Sequence, residues 1–190
     1  MTGTGENSSR KPVLYLVGCA VPPVLEIGDA IEQAQSRGWD VCLILTPTAA
    51  VWLEDRLEDF AALTGHPVRH RYKLPGQPDV LPPPDAVLVA PASFNTINKW
   101  AAGHADTLAL GLITEGIGKR LPLVALPHLN CAQAAHSAFS RSVEQLRADG
   151  VRILLGESDG YVPHVIGGSR PAFPWALGLD EVSTGRPAAE

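Results

Sequence analysis

The apolar positions of this chain fall into short continuous runs separated by stretches of helical periodicity. Val13-Leu14-Tyr15-Leu16-Val17 is apolar without alternation and stops at Gly18, the pattern of a strand buried on both faces. Pro22-Pro23 then opens residues 24–37, where Leu25, Ile27, Ile31 and Ala34 share a helical stripe closed by Gly38. The unit recurs, with Val41-Cys42-Leu43-Ile44-Leu45 as strand, Thr46-Pro47-Thr48 as turn and one helix over 49–63 ending at Gly65. Residues 68–72 form a candidate third strand, and the prolines at 75, 78 and 82–84 make the next stretch a loop. Strand 86–90, helices 96–102 and 106–116, strand 123–126, one long helix 132–148 stopped by Gly150 and strand 151–155 follow. This alternation predicts an α/β fold, a doubly wound, mostly parallel sheet with helices on both faces.

Composition narrows the picture. A chain of 190 residues, 45% hydrophobic, supports one full core. The folded domain is expected over 12–182, with a polar Gly/Ser-containing arm over 1–11 and a Pro/Ala-rich tail over 183–190, both expected to be disordered. Net charge is −5, and Lys and Arg read as scattered without a basic run. That argues against nucleic acid and a membrane as partners and favours a small, mostly neutral one. No apolar run approaches the roughly 20 residues of a membrane span. Cys19, Cys42 and Cys131 are odd in number and widely spaced, so neither a disulfide framework nor a metal cluster is indicated and a reducing cytoplasm is expected.

In an open α/β sheet the ligand sits outside the carboxyl ends of the strands. Four turns lie there: Gly18-Cys19-Ala20, Thr46-Pro47-Thr48, Pro91-Ala92-Ser93-Phe94-Asn95-Thr96 and Pro127-His128-Leu129-Asn130. Small and hydroxyl residues ahead of a helix suit phosphate, which free N–H groups and the helix dipole attract. Taken singly, Thr48, Ser93 and Asn95 also read as ordinary N-caps. No G-x-G-x-x-G or Walker sequence follows a strand, so a mononucleotide phosphate fits better than a dinucleotide or a triphosphate.

Pro91-Ala-Ser-Phe-Asn-Thr-Ile-Asn-Lys-Trp-Ala-Ala-Gly-His-Ala-Asp106-Thr-Leu resembles the P-A-S-A-N-T signature and its continuation in homo-oligomeric flavin-containing cysteine decarboxylases. Pro127-His-Leu-Asn130 is similar to their P-x-M-N signature, and the likeness runs over about 13–155. It implies a Rossmann or flavodoxin-like fold and FMN as cofactor. Gly18, Cys19, Ala20, Thr46, Thr48, Ala92, Ser93, Asn95 and Thr96 would then bind the cofactor, with Asp106 beside it or at a subunit contact. Asn130 would meet the substrate carboxylate and His128 the pocket wall. It further implies a homo-oligomer, a trimer or a dodecamer, acting on a peptide that ends in cysteine or on a small cysteine conjugate.

The departures fall where the reaction is decided. The family's catalytic histidine precedes the strand leading into P-A-S-x-N-T, whereas here Gly76 to Asp85 contains none. Gln77 or Asp79 takes its place, His66 or His70 reaches in, or the reaction runs without that group. Asp79 would serve as a base. Cys131-Ala132-Gln133-Ala134 replaces larger residues after Asn130, and the Gly-containing stretch 156–170 lacks the clamp cysteine of phosphopantothenoylcysteine decarboxylases. The reading that follows is FMN-dependent oxidative decarboxylation of a peptide's C-terminal cysteine to an aminoenethiol, with 156–170 as a flap. The alternatives are a redox or regulatory flavoprotein without decarboxylation and a phosphopantothenoylcysteine decarboxylase-like enzyme. Cys19 reads as a small residue standing in for serine, and Trp100 as an oligomer-seam residue.

Overall fold

The structure, a computed structural model, describes residues 10–159, 161–168 and 172–184. Five parallel strands form one sheet in the order β2-β1-β3-β4-β5. They are β1 Val13–Gly18, β2 Asp40–Leu45, β3 Ala86–Ala92, β4 Leu123–Pro127 and β5 Arg152–Ile153. Every residue of β1, β3 and β4 is buried, which is why these strands read as unbroken apolar runs. Helices α1 Ile27–Ser36, α2 Pro47–Trp52, α3 Leu57–Thr64, α4 Phe94–Ala101, α5 Leu108–Gly118, α6 Cys131–Ala134, α7 Ser137–Ala148 and α8 Trp175–Thr184 complete the chain.

Alternate strand residues feed two cores. Leu14, Leu16, Leu43 and Leu88 meet α1, α3 and α8 on one face, while Val17, Ile44, Val89 and Ala125 meet α4, α5 and α7 on the other. The predicted doubly wound fold is the one observed, and the sheet is parallel throughout.

Three expectations are corrected. Residues 68–72 form no strand: Arg69 alone bridges Ile44, accepting from Leu45 N at 2.8 Å and donating to Leu43 O at 3.1 Å. Only Val68 of that segment packs on the core, and the alternating Arg69 and Arg71 that follow it give the sheet edge no further apolar side chain. The single helices over 49–63 and 132–148 are each broken in two. Leu53 turns into the core at 2% exposure between α2 and α3, and His136 caps α7 by accepting from Ala138 N at 3.1 Å. Trp100 is 2% exposed within this one chain, so it is a core residue of α4 and not a seam residue. The sequence reading passed over α8, whose Trp175, Leu179 and Val182 are buried.

Arg10 lies in the stretch read as arm, and its guanidinium meets Asp85 at 3.1 and 3.0 Å. Asp85 Oδ2 also accepts from Val13 N at 2.6 Å, fixing the first residue of β1. Asp85→Ala strands that N–H and is expected to cost about 1–3 kcal/mol. A denaturant melt with faster amide exchange at Val13 checks it.

Candidate functional site

The sheet order reverses direction between β1 and β3, since β2 lies to one side of β1 and β3 to β5 to the other. Such a switch point opens a crevice at the carboxyl edge. Two of the four turns are tied together there. Cys19 N donates to Pro91 O at 3.1 Å, Cys19 Sγ donates to Thr96 Oγ1 at 3.3 Å, and Ser93 Oγ donates to Thr96 Oγ1 at 2.9 Å. Ser93 also caps α4, accepting from Thr96 N at 3.1 Å. Thr46 N reaches Gly18 O at 3.0 Å and His128 N reaches Ala92 O at 2.8 Å, so all four turns share one edge.

Gly18 is required by packing. A Cβ there would lie 2.7 Å from Ile27 Cδ1 and 2.9 Å from Leu45 Cδ2, so α1 approaches β1 only because position 18 is bare.

The site residues separate into those that build the edge and those that face out from it. Cys19 is 0% exposed and Thr96 5%, and both side chains are spent on each other and on Ser93. Ala92 is buried in β3 and Ala20 half-buried. Thr48 and Asn95 are exposed and Thr46 is half-buried. Among the described residues the side chains of these three make no hydrogen bond within the chain, while Thr46 flanks α2 without capping it. Unspent hydroxyls and an amide at the first turns of α2 and α4, where the first N–H groups lack intrahelical partners, fit a phosphate and a polyol chain.

Asn130 caps α6 in a reciprocal box, its Oδ1 accepting from Gln133 N at 2.9 Å and Gln133 Oε1 accepting from Asn130 N at 3.3 Å. Its Nδ2 is uncommitted, leaving a neutral donor at the edge. Asn130 also bridges His164, with Cys131 N donating to His164 O at 2.9 Å and His164 N to Leu129 O at 3.3 Å. His128 is covered by that same segment: it stacks on His164 at 4.8 Å, meets Phe173 edge-on, and its Nδ1 lies 3.3 Å from Tyr161 Oη. Tyr161, His164 and Phe173 went unnoticed in the sequence. The aromatic spacing of 161, 173 and 175 was the available signal.

The two aspartates stand elsewhere. Asp79 pairs with Lys73 at 2.7 Å in a cleft against α5, lined by Tyr15, Leu81, Gly111, Glu115 and Lys119 among others, none of them from the four turns. Asp106 pairs with Lys99, nearly two turns of α4 beyond Ser93. Each lysine holds its aspartate's carboxyl below the ordinary range. His66 is 2.8 Å from Asp40. Gly160, Ser169 and Arg170 of the expected flap, and residues 1–9 and 185–190 of the expected termini, lie outside the described residues.

Burial raises the thiol pKa of Cys19, and raises that of Cys42 to about 12, while Cys131 is exposed. A disulfide reagent at pH 8 is therefore expected to titrate Cys131 alone, with Cys19 and Cys42 reacting only after unfolding. Burial raises Tyr15 and Tyr161 to about 12 as well. These groups stay protonated in the fold while the unfolded chain ionises from about pH 9. The stability they contribute is full below that point and is lost as pH climbs toward 12.

The sequence pattern of the family named Flavoprotein matches residues 3–166. The chain belongs to that family. The likeness to flavin-containing cysteine decarboxylases read from residues 91–108 and 127–130 is borne out, and flavin is the cofactor class. A curated cysteine/cysteine sulfinic acid decarboxylase from an unknown prokaryotic organism is 34% identical over 99 residues, which is 52% of this chain and 27% of that protein. The chain thus spans about a quarter of that relative's length. The FMN-dependent cysteine decarboxylase SpaF shares 22% identity at a TM-score of 0.70, covering 91% of this chain and 98% of its own. The peptidyl-cysteine decarboxylase EpiD shares 21% at 0.71, covering 92% and 99%. At these identities the two structures speak for the fold. Among the described residues no helix is long and apolar enough to cross a membrane.

Proposed function

We propose that this flavoprotein is an FMN-dependent decarboxylase that converts the C-terminal cysteine of a peptide to an aminoenethiol. The observation that carries the reading is the uncommitted Nδ2 of Asn130, held at the same sheet edge as the unspent side chains of Thr46, Thr48 and Asn95. Bound flavin would supply the hydride acceptor for oxidation of the cysteine side chain. One hydride would leave the cysteine β-carbon and the thiol proton would pass to solvent as the C=S bond forms; the sulfur would then take up the electron pair released with carbon dioxide, and a proton from solvent would give the enethiol. Gly18 and Ala20 keep the first turn close to β1, Thr46 and Thr48 hold the phosphate, and Ser93 and Asn95 face the ribityl chain and ring. Cys19 and Thr96 fix the relation of these turns from below, and Ala92 fills the strand beneath them.

Asn130 orients the carboxylate through a neutral amide, which binds the anion without opposing its loss. His128 supports the covering segment from beneath. Asp106, tied to Lys99, serves a subunit contact in a trimer or dodecamer. Asp79, tied to Lys73, acts as base only if a second copy brings it to the edge. FMN accords with the dependence stated for SpaF, and a cysteine-terminated peptide with the name of EpiD.

The test is incubation of flavin-loaded protein with a panel of cysteine-terminated peptides. Bleaching of the flavin with loss of one carbon dioxide and two hydrogens from the peptide supports the reading. A flavin that stays oxidised with no peptide mass change supports a redox or regulatory flavoprotein in its place. The absence of a histidine between Gly76 and Asp85 favours that second reading.

A further inference from the structure

Three of the chain's 15 Lys and Arg, Arg69, Arg71 and Lys73, line one hollow. This hollow of about 400 Å3 on the segment after α3 is lined by Val68, Arg69, His70, Arg71, Tyr72, Lys73, Gln77, Pro78 and Val80, with no carboxylate among them. In a chain carrying 20 acidic and 15 basic residues, such a lining is not the default. Arg10, Arg37, Lys99, Lys119, Arg147 and Arg152 all pair with acids, as does Lys73 at the rim of the hollow. Arg69 and Arg71 pair with none among the described residues, and Arg69 donates instead to Arg71 O at 3.3 Å.

The segment is also held in place. Arg69 is fixed to β2 through both its backbone N–H and its carbonyl. Tyr72 Oη donates to Ala105 O at 2.9 Å and occupies the space that a side chain at Gly111 would need. Between these anchors Arg69 and Arg71 both line the hollow. Beside them burial, and then Arg71 and Arg69, hold His70 below its usual pKa, so the arginine charge is felt locally.

We propose that this hollow binds a small molecule through a phosphate group. With Lys73 matched by Asp79 at 2.7 Å, Arg69 and Arg71 leave two positive charges uncompensated, and a phosphate monoester is the smallest common group carrying about −2. Arginine forks match its oxygens. Val68, Pro78, Val80 and the half-exposed Tyr72 ring give the rest of the ligand an apolar wall, in a hollow within the usual size range of small-molecule sites.

The test uses flavin-loaded full-length protein titrated with inorganic pyrophosphate by calorimetry, with Arg71→Ala, Arg71→Glu and Thr48→Ala beside it. Saturable binding is expected, weakened about tenfold or more by Arg71→Ala, abolished by Arg71→Glu and unchanged by Thr48→Ala. Arg71 is exposed with no side-chain bond, and matching thermal melts show that its variants fold. Equal affinity in wild type and Arg71→Glu overturns the site, and equal affinity for citrate overturns its assignment to phosphate. Loss in Thr48→Ala with Arg71→Glu unaffected assigns the binding to the flavin edge and overturns it too. Flavin absorbance, followed in every sample, reports separately on the proposed cofactor function.

Discussion

A Gly18→Val chain is expected to lose about 1–3 kcal/mol of stability or more, together with most of its flavin. The added Cβ alone would stand 2.7 Å from Ile27 Cδ1, 2.9 Å from Leu45 Cδ2 and 3.1 Å from Val24 Cγ2, and all three side chains are 0% exposed. None of these methyls can swing into solvent, so Ile27, Leu45 and Val24 must repack within the core where α1 meets β1. That repacking falls beside Cys19, whose bonds to Pro91 O and Thr96 join the first turn to the third. Stability and cofactor retention should therefore fall together, read by thermal melting and by flavin absorbance after gel filtration. Gly28→Ala is the control: a Cβ there meets Phe60 at 3.5 Å, an ordinary contact. It should melt no lower than wild type and keep its flavin.

Asn130→Asp is expected to lower decarboxylation about a hundredfold while leaving the flavin in place. Aspartate keeps an oxygen for Gln133 N, so the cap of α6 survives. What disappears is the Nδ2 donor, and a negative charge arrives where the substrate carboxylate would lie. Asn130→Ser keeps the cap without adding the charge, and an intermediate loss is expected of it. Steady-state rates on a cysteine-terminated peptide, with flavin content measured on the same samples, check both. Full activity in Asn130→Asp would remove Asn130 from the carboxylate.

The sheet could be read from the chain because parallel strands buried on both faces write themselves as unbroken apolar runs, as Val13–Gly18 and Ala86–Ala92 do. The turns could be read for the same reason, since each begins where such a run stops. Helix breaks could not. Leu53 and His136 sit within sequences that keep their helical periodicity, and only the packing of Leu53 and the capping by His136 divide them. For α8 the signal was present, as Trp175, Leu179 and Val182 repeat at helical spacing.

Which way a site residue points was harder still. Cys19 and Thr96 turn inward because they bond each other across 77 positions of sequence. Asp79 and Asp106 are where Lys73 and Lys99 hold them. His128 is covered by Tyr161 and Phe173. None of these relations has a sequence period, so motif position gave the neighbourhood of each residue and long-range partners gave its orientation.

The placement of α8 bears on how the protein is made. This helix lies over β3 and β4, with Gly178 letting it approach Leu88 and Leu126, and it is fastened to the start of the fold by Trp39 Nε1 to Ser183 Oγ at 3.2 Å and by Arg37 to Asp180 at 2.9 Å. A nascent chain that has emerged only as far as β5 would carry a complete sheet with one face covered by α1 and α3 but still bare over β3 and β4. Until the ribosome has released residues 175–184, the part of the core formed by Leu88 and Leu126 stays open to water and to other nascent chains.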